Sequence, residues 1–74
     1  MARHFTLDIR DMEPPEPLER VLATIADFHP GDTLKILSDF EPRPLYPILE
    51  RDGFRRHVES GEDAAVEITV WSDP

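Results

Sequence analysis

The chain is 74 residues long, has no cysteine, and sets 16 acids against 8 bases for a net charge of −8. A chain of this length buries only about 60% of its unfolded surface and supports one core. The missing thiols exclude disulfides, thiolate catalysis and cysteine-bearing metal sites, and the acidic balance disfavours phosphate-rich partners such as nucleic acid. With 39% hydrophobic residues the composition is globular rather than disordered. The opening "MARHFTLDIRD" holds no apolar run of signal length, and no segment approaches about 18 apolar residues. A small domain without disulfides suits the cytoplasm. The expectation is a soluble, cytoplasmic, single domain spanning residues 1–74. Seven of the eight bases are arginine, which suggests no function by itself.

In chain order, residues 5–9, "FTLDI", alternate: Phe5, Leu7 and Ile9 share one face, Thr6 and Asp8 the other, as in a half-buried strand. From Pro17 to Phe28 the period lengthens. Leu18, Val21, Leu22, Ile25 and Ala26 form one helical stripe, which "HPGD" ends with Pro30 and Gly31 as breakers. "TLKILS", residues 33–38, is a second strand. "LYPILERD" is a short helix with Leu45, Ile48 and Leu49 facing inward, stopped by Gly53. "FRRHVE" and "AAVEITVW" are two further strands joined by "SGED", a turn of hairpin length. The order β-α-β-α-β-β gives an α+β fold: a two-layer α/β sandwich, with a four-stranded mixed sheet and two helices on one face. The other face carries Thr6, Asp8, Lys35, Glu67 and Thr69. It is polar enough to stay wet, which favours a monomer.

Prolines crowd both helix starts. "EPPEPLE" precedes the first helix, and Pro42, Pro44 and Pro47 surround the second. Backbone N–H groups of a first helical turn have no intrahelical partner, so proline loses nothing there and its fixed φ suits the helix. Pro47 is tolerable only within a first turn, which puts the second helix start near Pro44 or Leu45. Glu16 and Glu19 add negative charge at the positive end of the helix dipole.

The stretch "LDIRDMEPPEPLERVLATI" resembles the first strand, loop and helix of TusA-like (SirA-like) sulfur-carrier proteins. Their pattern is a Leu-Asp-x-Arg strand end, a Cys-Pro-x-Pro helix start and an amphipathic helix. The element order matches too, so the resemblance covers nearly the whole chain. "LDIR", "PPEP" and "EPRPLYPILE" together look like the uncharacterised, cysteine-less branch of that superfamily, a domain of unknown function marked by an Asp/Glu-Pro-Arg-Pro-Leu motif. In the carriers, the cysteine at the helix start holds a persulfide. Here Pro14 stands at that place, with neither nucleophile nor titratable group, and the chain has no cysteine to replace it. Persulfide transfer by the carrier mechanism is excluded. The resemblance implies an accessory domain, in some members joined to a hemerythrin-like domain. The implied setting is redox or nitrogen-oxide metabolism, and the implied partner is a protein, of redox or hemerythrin-like kind.

Right-handed crossovers bring both helix starts to the carboxyl ends of the first two strands. Arg10 and the Pro14, Pro15, Glu16, Pro17 segment are therefore expected near Asp39, Glu41 and Arg43. Two helix N-termini aimed at one edge suggest a small-anion or metal-ion site served by Arg10 and Arg43. Otherwise Arg10 pairs with Asp39 or Glu41, Arg43 ties down its loop, and the edge docks a protein through an exposed apolar rim at Leu45 and Tyr46. Tyr46 and Trp71 are of the aromatic type common in interfaces. His4, His29 and His57 have no ligand spacing, so no metal or cofactor is expected, and this chain alone forms no hemerythrin-like iron site. His29 is expected near a helix C-terminus. A Ser38–His57–acid triad lacks any oxyanion-hole motif, and no phosphate loop appears. The reading is a non-catalytic binding or adaptor module, with anion or metal-ion sensing as its alternative.

Overall fold

The computed structural model describes residues 2–62 and 64–73. Its elements are β1 (His4–Asp8), α1 (Glu16–Ile25), β2 (Thr33–Ser38), α2 (Leu45–Arg51), β3 (Phe54–Glu59) and β4 (Val66–Ser72). The sheet runs β1-β2-β4-β3. β1 and β2 are parallel, and β4 lies antiparallel to both β2 and β3. β3 therefore runs the same way as β1 and β2. The order and the mixed four-stranded sheet are those expected from the sequence.

Register sorts the side chains into two faces. Leu7, Ile36, Ile68 and Val58 align across the four strands, as do Phe5, Leu34, Val70 and Arg56. Leu34, Ile36, Ile68 and Val70 are fully buried against Val21 and Ile25 of α1 and Leu45 and Leu49 of α2. The row Thr6, Lys35, Thr69 and His57 lies on the other face, where Lys35 Nζ meets Glu67 Oε1 at 2.7 Å. His57 thus faces away from Ser38, which shares the helix-side face with Leu34 and Ile36. The Ser38–His57 pairing does not form.

Several boundaries differ from expectation, the largest differences being at the end of α1 and the start of β4. α1 stops at Ile25, not Phe28, and His29 lies beyond its end. The Phe28 N–H donates to the Ile25 carbonyl in a turn. That turn carries the Phe28 ring onto Phe5, with centroids 5.6 Å apart, and edge-on to Phe54 at 6.1 Å. Periodicity alone does not separate a helical position from an aromatic that leaves the helix to close a core. β4 starts at Val66, after a buried Ala64, so the connection from β3 is longer than a four-residue turn. Asp63, within that expected turn, lies outside the described residues. Ile9 falls just past β1, yet its N–H still donates to the Leu37 carbonyl at 3.0 Å.

Between α1 and β2 the chain turns at Gly31, whose φ of +98° a side chain rarely adopts. The next residue, Asp32, is 1% exposed. Its carboxylate accepts from the Arg3 backbone N–H at 2.8 Å, from Arg3 Nε and Nη2 at 3.2 and 2.8 Å, and from the His29 N–H at 3.0 Å. A buried carboxylate is tolerable only with such a full set of donors. The His29 N–H first, then the Arg3 side chain and backbone, hold its pKa well below the usual carboxylate range.

Candidate functional site

The carboxyl ends of β1 and β2 face both helix starts. α1 begins with Pro15 as N-cap, and Pro17 stands within its first two positions. α2 begins with Pro44 as N-cap, so Pro47 sits in its first turn. These prolines do more than start helices. The Glu16 N–H donates to the Glu13 carbonyl, Leu45 to Pro42 and Tyr46 to Arg43, while Pro17 and Pro47 have no N–H to give. The helix ends thus lack the cluster of outward N–H donors that makes a helix start an anion site.

What the prolines build is an apolar groove of about 250 Å³. The approach to α1 and the helix itself line it with Pro14, Pro15, Pro17, Leu18 and Val21, and the β2–α2 loop and the start of α2 line it with Phe40, Pro42, Pro44 and Leu45. Ile9 completes it from the end of β1. The volume lies under the roughly 300–1,000 Å³ usual for small-molecule pockets. It suits one or two side chains. Phe40 is 60% exposed, a large apolar group left in water at the mouth. Ser38 fixes its turn: the buried hydroxyl donates to the Phe40 carbonyl at 2.6 Å and accepts the Phe40 N–H at 3.3 Å.

The two arginines do not converge on open space. Arg10 grips Asp8 side-on, Nε to Oδ1 at 2.9 Å and Nη2 to Oδ2 at 2.7 Å, rather than pairing directly with Asp39 or Glu41. The hydrogen bonds from the Arg10 side chain and backbone lower the Asp8 pKa to about 2. Arg43 Nε lies 3.6 Å from Glu41 Oε2 and is largely in solvent. Among the described residues no group of three metal-ligating side chains forms.

Tyr46 is not on an exposed rim. It is 8% exposed and belongs to the core, and Leu45 beside it is buried as well. α2 spans only seven residues between sheet and loop, so the flank next to its apolar stripe is covered too. The Arg56 guanidinium lies over the Tyr46 ring, 4.0 Å from its centroid. The phenol oxygen is buried without a well-formed hydrogen bond, and burial, together with the neighbouring Glu41 carboxylate, pushes its pKa up. The exposed aromatic of this edge is Phe40. In "SDFEPRP" it lies two residues past the end of a strand, between two acids and ahead of a proline cluster.

Residues 6–72 match the family described as "Uncharacterized conserved protein (DUF2249)". The chain belongs to that family. No curated protein matches it significantly. In three dimensions the DUF2249 chain is similar to the crystal structure of a SirA-like protein from Desulfitobacterium hafniense, with a TM-score of 0.78. The match covers 95% of this chain and 99% of that one at 18% identity, and what it shows is a shared fold. The fold is thus SirA-like, without cysteine. Pro14, where the resemblance to the carriers leads one to expect a cysteine, lines the groove, and the sequence has no cysteine. Chemistry that needs a thiol there has no atom to act through. Among the described residues no helix is long and apolar enough to cross a membrane.

Proposed function

We propose that this chain is a non-catalytic docking module, a cytoplasmic monomer that binds a protein partner through the groove between its two helix starts. The observation that carries this reading is the composition of the groove. All ten of its lining residues are apolar, and five of them are prolines. Such walls offer no group to a reaction and no donor to an anion, but they present rigid apolar surface that loses little entropy when covered. Phe40 adds an exposed aromatic anchor of the kind concentrated in interfaces. Anion or metal-ion sensing gains no support here, because Arg10 grips Asp8 and the helix starts are short of free donors.

The test is a random-peptide display selection on the immobilised chain, run in parallel on Phe40→Glu. Circular dichroism of the variant first establishes that it folds. The expected result is peptides enriched on the wild type that bind Phe40→Glu at least tenfold more weakly. Peptides that bind both equally, or no enrichment over blank matrix, would overturn the docking reading. Saturable amide shifts at residues 10–17 and 39–46 on adding thiosulfate, nitrite or a divalent metal would restore the sensing one.

A further inference from the structure

The walls of the groove fix one half of a partner's chemistry, and its rim fixes the other. Residues 8–20 and 39–44 hold seven acids (Asp8, Asp11, Glu13, Glu16, Glu19, Asp39 and Glu41) and three bases, Arg10, Arg20 and Arg43, which is four of the chain's eight net negative charges. The acids stand on both sides. Glu13, Glu16 and Glu19 alternate with the lining residues of α1, and Asp39 and Glu41 flank Phe40. All five are exposed. All three local bases already face a carboxylate: Arg10 meets Asp8 at 2.7 Å, Arg43 meets Glu41 at 3.6 Å and Arg20 meets Glu16 at 3.7 Å. Single-sign charge around low-dielectric walls focuses the field over the opening. A face meant only for solubility has no need to concentrate its charge around an apolar groove.

We infer that the segment seated in the groove presents a large apolar side chain with Lys or Arg on both sides of it. This rests on the docking reading above and specifies its partner as a basic stretch of polypeptide. Nucleic acid, acidic peptides and anionic membrane surfaces meet like charge at this rim. A small polyamine neutralises the rim but has no apolar group to fill the groove.

The groove-dependent peptides of the display selection test this directly. Their sequences are expected to carry Lys or Arg within about four positions on each side of the apolar residue. Calorimetric titration of the tightest peptide is expected to show binding weaken at least tenfold between 20 and 300 mM NaCl, because exposed charges are screened over that range. Glu16→Gln and Asp39→Asn, both exposed substitutions, should each weaken it by about two- to fivefold. Groove-dependent peptides with neutral or acidic flanks and salt-insensitive binding would overturn this inference while leaving docking intact. Loss of groove dependence itself would overturn both.

Discussion

The two ends of the sheet are made of similar material and closed to different degrees. At the end where β1, β2 and β3 begin, Phe28 stacks on Phe5 and meets Phe54 edge-on, while Arg3 and His29 wrap the Asp32 carboxylate. At the end where β1 and β2 finish, prolines hold two helix starts apart, and Phe40 stays in water. One end satisfies its apolar and polar groups internally, and the other leaves apolar surface open to solvent. The lesson is about division of labour in a small domain. Stability concentrates where the chain closes on itself, and the proposed docking surface sits where it can be altered at little cost to the fold.

The strongest break of the closed end is Leu34→Ala. Leu34 is fully buried, in register with Phe5 and Val70. The substitution should cost about 2–5 kcal/mol, enough to leave a chain of this size barely folded. A thermal melt followed by circular dichroism checks it, and a shift of a degree or two would show that the core repacks.

Asp32→Ala comes next. It leaves the Arg3 and His29 donors without their acceptor, and should lower Tm well beyond Asp39→Ala at the open end. The pH dependence follows from the same site. The folded pKa of Asp32 lies below its unfolded value near 3.8, and so does that of Asp8, at about 2. Their contribution is therefore complete above roughly pH 4 and is lost as pH falls through the folded values. Tm should decline between pH 4 and 2, and decline less steeply in Asp32→Ala. An unchanged slope in the variant would assign the acid sensitivity elsewhere.

Phe40→Ala should separate the two ends most cleanly. An exposed side chain contributes little to the fold, so stability should stay within about 0.5 kcal/mol by urea denaturation, while peptide binding is lost. The smallest effect is expected from Tyr46→Phe. Removing a buried hydroxyl that lacks a well-formed hydrogen bond should leave Tm unchanged or slightly raised. A drop of several degrees would show that Glu41 holds the phenol after all.

Much of the fold was legible because the periods are clear. "TLKILS" and "FRRHVE" coincide with β2 and β3, and the rule confining Pro47 to a first turn located the start of α2. What sequence reading missed depends on contacts distant along the chain. "HPGD" reads as a helix breaker, and nothing local shows that Asp32 reaches Arg3, 29 positions earlier. Tyr46 sits beside an apolar stripe, and a strand still to come, through Arg56, covers it. At the candidate site, the meeting of the two helix starts follows from crossover handedness. Its character was harder to read. Prolines announce helix starts plainly, but the consequence that they strip those starts of N–H donors and wall an apolar groove emerges only once both clusters face each other.

The most direct measurement is an amide NMR titration of the isotope-labelled chain with indole, an apolar probe shaped like a tryptophan side chain. Saturable shifts are expected at residues 9–21 and 39–45, at millimolar affinity, with residues 3–5, 28–34 and 54 unmoved. Shifts at the Phe5–Phe28–Phe54 end or on the Thr6–Lys35–Thr69 face, or no saturation at the helix starts, would contradict the docking reading.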